Sequence, residues 1–171
     1  MRTLVRTRTL WLFVSLALLG AGIFFIRQKS SSDASRRDTE LINATVIGAS
    51  MVPALYSGDE VAIDRAAYAS RSPQTGDLVA LMSPDKNELA VKRVRAVAED
   101  IVRLEERALY VNNTLLAEGE LAQNTQFEYG AEYVVPEGEL FLMGDNFGAT
   151  DSSLLWGFIN QNQIIGKVLT E

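Results

Sequence analysis

The feature that most constrains this chain is an uncharged and almost wholly apolar run near its N-terminus, TLWLFVSLALLGAGIFFI (Thr9–Ile26). At a rise of about 1.5 Å per residue, this run approaches the roughly 30 Å hydrocarbon thickness of a bilayer. It predicts a transmembrane helix over residues 9–26, preceded by a short tail, residues 1–8. The alternative is a cleaved signal peptide with LLGAG as its cleavage site, but the run continues through IFFI and exceeds the usual apolar region of about 7–15 residues.

Basic residues flank the predicted span on both sides, so the positive-inside rule gives no orientation. The segment that follows, RQKSSSDASRRDTE (residues 27–40), is polar, serine-rich and without hydrophobic periodicity. Such a composition is typical of a flexible connection. The sequence therefore predicts a tether over residues 27–40 that leads to one folded domain, residues 41–171.

The composition excludes several kinds of chemistry. The 171 residues include no histidine and no cysteine, which rules out a Ser-His-Asp triad, thiol catalysis, disulfides and Cys-ligated zinc. We expect neither a metal nor another cofactor. From Asp38 onward, the chain has nine Lys and Arg residues and twenty-one Asp and Glu residues, which gives a formal charge of −12. Because an acidic surface repels phosphate backbones, we do not expect nucleic acid as a partner.

From Leu41 onward, short runs rich in Val, Ile, Leu and Tyr alternate with turn sequences such as YSGD, SPQTGD and PEG. This pattern predicts a mostly β domain of short twisted strands. Two short helices are predicted, over Arg65–Ser70 and Leu121–Gln126. The strands are expected in ATVIG, DEVAID, GDLVALM, ELAVKRVRAVA, DIVRLEE, ALYVNNTLLAEG, EYVVPEG, ELFLMGD and IIGKVL.

One predicted strand, ELAVKRVRAVA, has a lysine on the same face as small apolar residues. With the period of two of a strand, Lys92 shares a face with Ala90 and Val94, whereas Arg93 and Arg95 point to the other face. Burial among apolar groups lowers the pKa of a lysine, and a neutral lysine amine can act as a general base near neutral pH. We therefore expect Lys92 to be buried and its neutral amine to act as a general base.

The serine in GASMVP (residues 48–53) requires such a base if it is a nucleophile. Lys92 could take the proton of Ser50, the serine could attack a carbonyl carbon, and backbone N–H groups of the turn could stabilise the oxyanion. The alternatives are a turn-forming serine and a solvated lysine at a strand edge. Spacing alone leaves these interpretations open.

Several segments, taken in order along the chain, resemble the type I signal peptidases of the serine–lysine class. The likeness implies a signal-peptidase-like β domain carried by an N-terminal membrane anchor. The matching segments are GASMVPALYSGDEVAID (Gly48–Asp64), GDLVAL (Gly76–Leu81), VKRVRAVAEDIV (Val91–Val102), LYVNN (Leu109–Asn113), VVPEGELFLMGDN (Val134–Asn146), and then WG and IIGK (Ile164–Lys167).

The resemblance implies an endopeptidase that removes signal peptides from exported preproteins at the outer face of the cell (inner) membrane, with preproteins and membrane lipid as partners. It implies Ser50 as nucleophile and first oxyanion donor, through its backbone N–H, and Lys92 as general base. Gly48 has no side chain to provide the second donor that some members have. The substrate would bind as an extended strand with small residues before the cut, and Met51 and Val91 are candidate walls of the cleft.

The last matching segment, GDNFGATDSSLLWG (residues 144–157), departs from the family pattern G-D-N-R-x-x-S-x-D-S-R-x-W-G. An ungapped match places Thr150 at the serine that orients the lysine, and a threonine hydroxyl can do the same. Phe147 and Leu154 occupy the two arginine positions. We therefore expect Asp145 to pair with Arg93, while Asp151 stays a supporting residue with no evident partner.

Two other functions are compatible with parts of this pattern. The first is a non-catalytic or narrow-substrate paralogue that binds export substrates or partner subunits, and the altered last segment is its support. The second is a self-cleaving SOS repressor, which shares a similar S-M and V-K-R layout. Those repressors carry a DNA-binding N-terminus, whereas this chain has an apolar run there.

Overall fold

The computed structural model describes residues 40–119, 125–148 and 152–170. The predicted transmembrane helix, the tether up to residue 39, and the candidate site residues Thr150 and Asp151 lie outside the described residues. In the described ranges, no helix is both long and apolar enough to cross a membrane. Residues Leu41–Glu171 form one unit.

The described residues form a mostly β domain, which confirms the class that the turn-punctuated pattern predicts. The strands are β1 (Leu41–Thr45), β2 (Glu60–Asp64), β3 (Leu78–Met82), β4 (Leu89–Ala96), β5 (Ile101–Glu105), β6 (Ala108–Val111), β7 (Thr114–Glu118), β8 (Glu132–Val134), β9 (Glu139–Met143), β10 (Ile159–Asn160) and β11 (Ile164–Leu169). A single helical turn, α1 (Ser153–Trp156), precedes β10.

The strands form two antiparallel sheets. The larger has the order β1-β2-β11-β3-β4-β9-β10 and the smaller the order β7-β6-β5-β8. The chain thus leaves the larger sheet after β4, builds the smaller sheet with β5 to β8, and returns as β9 beside β4. Arg93 of β4 consequently lies opposite Met143 of β9. This return places the segment that follows β9 next to β4.

Strand β3 is largely buried, because apolar groups cover both of its faces. Ala80 packs in one cluster with Met51 and Ile63, and Val79 packs in another with Leu142. Complete burial of a valine or leucine side chain, such as Val79 or Leu142, stabilises a fold by about 1.5–3 kcal/mol. Both clusters include residues of β3, which is the direct neighbour of β4.

A third cluster joins the smaller sheet to β9 and α1. Leu104 and Leu109 of the smaller sheet pack with Phe141 and Leu154. Phe127 of this cluster makes edge-to-face ring contacts at centroid distances of 4.9 Å to Tyr133, 5.6 Å to Phe141 and 5.2 Å to Phe158. Such aromatic pairs add specificity to the burial of apolar area.

Three short elements differ from the sequence-based prediction. The predicted helix over residues 65–70 is wrong, because these residues form turns and bends instead, with Ala69 N–H donating to the carbonyl of Ala66 at 3.0 Å. Most of the predicted helix at Leu121–Gln126 lies outside the described residues. Helix α1 and strand β10 were not predicted, because neither is long enough to show a hydrophobic period.

Candidate active site

Ser50 lies in the loop that joins β1 to β2. The two ends of this loop are tied together, since Gly58 N–H donates to the carbonyl of Val46 at 2.9 Å. The side chains of Met51 and Leu55 are 2% and 5% exposed and insert into the core cluster of β2 and β3. The loop is therefore anchored directly after Ser50, which is itself half-buried.

Lys92 lies on β4, opposite Val79 of β3, and is 3% exposed. Val94, two residues further along β4, is fully buried, whereas Arg93 and Arg95 are half-buried. This is the alternation that the strand pattern predicts. Lys92 Nζ donates a hydrogen bond to Ser50 Oγ at 3.0 Å, across 42 positions of sequence. The structure thus brings the two predicted site residues together.

An aromatic ring borders the lysine amine. Lys92 Nζ lies 5.8 Å from the ring centroid of Trp156, the last residue of α1. Helix α1 is held in place at its start, because the Ser153 Oγ accepts a hydrogen bond from Leu142 N–H of β9 at 2.8 Å. The sequence analysis does not predict Trp156 as a site residue. Its place in the WG pair of the matching segment is the signal that could have indicated it.

The residues that follow β9 support the backbone of Ser50. Asn146 N–H donates to the carbonyl of Ser50 at 3.0 Å, and Asn146 Nδ2 donates to the carbonyl of Ala49 at 3.2 Å. Gly144 approaches so closely that a Cβ at this position would lie 2.2 Å from the carbonyl oxygen of Ser50. Only glycine fits this contact without movement of the backbone.

Asp145, between those two residues, binds two arginines of β4. Arg93 makes a two-pronged contact, with Nε 2.7 Å from Oδ1 and Nη2 2.6 Å from Oδ2. Arg95 Nη2 donates to Oδ1 at 2.6 Å. The hydrogen bond with Asp145 raises the pKa of Arg93, whereas burial lowers the pKa of Arg95. The Arg93 contact was expected from the sequence, but the Arg95 contact was not.

The two arginine positions of the family pattern hold apolar groups that pack in one core cluster. Leu154 is 1% exposed and belongs to the core cluster that contains Phe141. Phe147 packs against the same cluster, and its ring lies 5.3 Å from the guanidinium carbon of Arg95. The two residues that depart from the family pattern, Phe147 and Leu154, thus lie in a packed apolar region.

The predicted cleft residues Met51 and Val91 both contact the core cluster of β2 and β3, Met51 as a buried member and Val91 as a half-buried neighbour. In the part of the chain that the structure describes, no group of three or more carboxylates could hold a metal ion. The arrangement of Ser50 and Lys92 suits proton transfer, because the distance lies within the range of about 2.6–3.2 Å for a nucleophile and its base.

Known proteins share this chain's sequence pattern over most of its length. The family described as signal peptidase, peptidase S26, matches residues 34–170. A probable signal peptidase I-1 from a Synechocystis species is 31% identical over 128 residues, covering 70% of this chain and 65% of that relative. Signal peptidase IB from Staphylococcus aureus is 30% identical over 141 residues, covering 72% of this chain and 73% of the relative.

A solved structure is also similar, the crystal structure of a signal peptidase I from Enterococcus faecalis. It is 27% identical, with a TM-score of 0.43, and the match covers 58% of this chain and 98% of that chain. The present chain spans 65% of the length of the Synechocystis relative. Because the family match extends over residues 34–170, the chain belongs to the signal peptidase family, peptidase S26.

Proposed function

We propose that this protein is a membrane-bound serine endopeptidase that removes N-terminal signal peptides from exported preproteins, with Ser50 as nucleophile and Lys92 as general base. The observation that carries the proposal is the 3.0 Å hydrogen bond from Lys92 Nζ to Ser50 Oγ in a chain without histidine. Membership of the signal peptidase family supports the substrate class.

In the first step, the neutral amine of Lys92 accepts the proton of Ser50 Oγ while Oγ bonds to the carbonyl carbon of the scissile peptide. The ammonium then donates this proton to the leaving amine nitrogen as the C–N bond breaks, and the acyl group stays on Ser50. A water molecule then gives a proton to Lys92 as its oxygen bonds to the ester carbon, and Lys92 returns this proton to Ser50 Oγ as the bond between Oγ and the carbonyl carbon breaks. The low exposure of Lys92, 3%, favours the neutral amine that this mechanism needs.

The backbone N–H of Ser50 is the proposed first donor to the oxyanion. Asn146 Nδ2 donates to the carbonyl of Ala49, which lies in the same peptide plane as the Ser50 N–H, and an oxyanion donor is effective when it is held in place beforehand. Because Gly48 has no side chain, a backbone group or a water molecule completes the site.

Other residues orient the lysine and its surroundings. We assign the lysine-orienting hydroxyl to Thr150, and a supporting role to Asp151, from their positions in the matching segment. Asp145 and Arg93 support the segment that contacts Ser50. The ring of Trp156, 5.8 Å from Lys92 Nζ, limits the access of water to the amine.

The substrate would add as an extended strand beside β4. Strand β3 pairs with β4 from Leu89 onward, whereas β9 pairs with β4 only from Arg93 onward in the described residues. The backbone of β4 at Val91 is therefore the proposed edge for the substrate strand. Met51 and Val91 would form the wall of a cleft that takes the small residues one and three positions before the cut. Residues 9–26 would anchor this domain on the extracytoplasmic side of the cell membrane, against lipid.

The test uses the purified full-length protein in lipid vesicles and several preproteins with small residues one and three positions before the cut. The wild type and Ser57→Ala, a control at an exposed serine of the same loop, should cleave at that site, and Ser50→Ala should not. Binding without cleavage by all three proteins would contradict the proposal and favour the non-catalytic paralogue. Cleavage of a single preprotein would identify the narrow-substrate paralogue.

A further inference from the structure

Arg95 is a charged side chain in a largely apolar environment. Its side chain is 16% exposed, its guanidinium lies over the ring of Phe147, and its Nε is buried without a hydrogen-bond partner among the described residues. Burial of a guanidinium has a desolvation cost that an apolar residue of similar volume would avoid. Arg95 is therefore a costly choice if packing is its only role.

Asp145 does not need Arg95 to satisfy its carboxylate. Arg93 alone already contacts both oxygens in the bidentate geometry that is strongest for this pair. Arg95 adds a third contact at 2.6 Å from the same side of β4. Because the two arginines are two positions apart on one strand, they fix both the position and the rotation of the carboxylate.

The fixed carboxylate belongs to the segment that holds Ser50. Gly144 contacts the Ser50 carbonyl, and Asn146 donates a hydrogen bond to the same oxygen. Lys92, on the opposite face of β4, donates to the hydroxyl of Ser50. The same strand thus locates the amine directly and the serine backbone through Asp145.

We propose that Arg95 is a positioning residue for Ser50, which acts through Asp145 and Asn146 and uses the ring of Phe147 as its platform. The inference rests on the proposed peptidase function for its kinetic consequence, but its structural consequence stands apart from any activity. Arg95 supplies from the strand a cation that the loop lacks, since Phe147 occupies the arginine position of the family pattern.

The experiment compares full-length wild type, Arg95→Ala and Arg95→Lys in lipid vesicles. Arg103→Ala is the matched control, because Arg103 also contacts a carboxylate, Glu105, and an aromatic ring, Tyr110, but does so in the smaller sheet. Two quantities are measured, namely kcat and KM for preprotein cleavage, and backbone hydrogen exchange in peptides that cover residues 48–52 and 144–148.

For Arg95→Ala we expect kcat to fall about tenfold with KM changed less than twofold, because a small misplacement of the nucleophile slows the chemical step. Hydrogen exchange should accelerate in the two peptides and not in the smaller sheet. Arg95→Lys should recover part of kcat, since one charged contact to Asp145 is retained. Arg103→Ala should change neither quantity.

A second comparison tests whether Arg95 acts through Asp145. In an Asp145→Asn background, Arg95→Ala should change kcat by less than about twofold, because the carboxylate that Arg95 contacts is already altered. A full tenfold loss in that background would overturn the route through Asp145. Unchanged exchange in both peptides, or exchange that accelerates equally across the domain, would overturn the positioning role. If the wild type does not cleave, the exchange result still decides the role of Arg95, so failure of the peptidase proposal stays distinguishable.

Discussion

Lys92 Nζ lies 3.0 Å from Ser50 Oγ, although the two residues are 42 positions apart, with Ser50 in the loop after β1 and Lys92 on β4. The contact forms because β4 buries Lys92 while the anchored loop after β1 presents Ser50. In the proposed mechanism the serine hydroxyl donates its proton to this amine, so the amine must be neutral. The rate of cleavage must then depend on the protonation of one lysine.

The first prediction concerns this pH dependence. The kcat/KM for preprotein cleavage should rise with pH and reach an alkaline plateau as the free enzyme loses the Lys92 proton. The measurement is a set of initial rates across the pH range in which the protein keeps its fold. Lys86→Ala, a change at an exposed lysine between β3 and β4, should give the wild-type profile. A flat profile from acid to alkaline pH would exclude lysine as the base.

Gly144→Ala tests the contact that supports the Ser50 backbone. The new Cβ would meet the Ser50 carbonyl oxygen at 2.2 Å, so the backbone must move. We expect a loss of about 1–3 kcal/mol in unfolding free energy and a fall in kcat of about 10- to 100-fold. Gly148→Ala is the matched control, because its Cβ would meet Asn146 Oδ1 at an ordinary 3.6 Å. Wild-type kcat in Gly144→Ala would show that this contact does not position the serine.

Leu154→Arg would restore the arginine of the family pattern in a site that has become apolar. Leu154 is 1% exposed and packs with Phe141, so an arginine there would be a buried charge. Urea denaturation in detergent should show a loss of about 3–5 kcal/mol in unfolding free energy. Leu154→Met should lose less than about 1.5 kcal/mol. A Leu154→Arg variant as stable as the wild type would mean that this site accommodates an arginine after all.

Asp77 links acid stability to the larger sheet. Its carboxylate accepts hydrogen bonds from Lys167 Nζ at 2.5 Å, Tyr68 Oη at 3.1 Å and Gln74 N–H at 3.2 Å. Burial alone raises the pKa of Asp77, but these hydrogen bonds outweigh it and leave the pKa below the ordinary aspartate value. A depressed folded pKa contributes stability above the unfolded value of about 3.9, and this is lost as pH falls through the folded value.

Asp77→Asn should therefore lower the unfolding free energy by about 1–2 kcal/mol at neutral pH, and the difference from wild type should shrink at pH values below about 3.9. The measurement is urea denaturation of both proteins at several pH values. Asp85→Asn, at an exposed turn, should change stability at neutral pH by less than about 0.5 kcal/mol. A difference that grows as the pH falls would contradict the sign of this argument.

The strand pattern predicted much of the fold because its signals are local. Alternation along β4 predicted that Lys92 is buried and that Arg93 and Arg95 lie on the other face, and the structure has this arrangement. The helix predicted over residues 65–70 was wrong, because a hydrogen bond from Ala69 N–H to the Ala66 carbonyl closes a turn there instead. A single hydrogen bond of this kind leaves no periodic signal in the sequence.

Long-range contacts were predictable only where the family pattern supplied them. The pairing of Arg95 with Asp145 spans 50 positions and depends on the return of β9 beside β4 after the smaller sheet. Likewise, the burial of Leu154 depends on how α1 packs against the cluster of Phe141. Neither fact has a local signature, so the sequence alone could not assign Arg95 a partner.

The most direct test of the serine–lysine mechanism is the initial rate of preprotein cleavage by wild type, Ser50→Ala, Lys92→Ala and the double variant. We predict that each single change abolishes nearly all cleavage and that the double variant is no slower than the slower single one, because the two residues act as one unit. Substantial turnover by Lys92→Ala, or losses that multiply in the double variant, would contradict the mechanism.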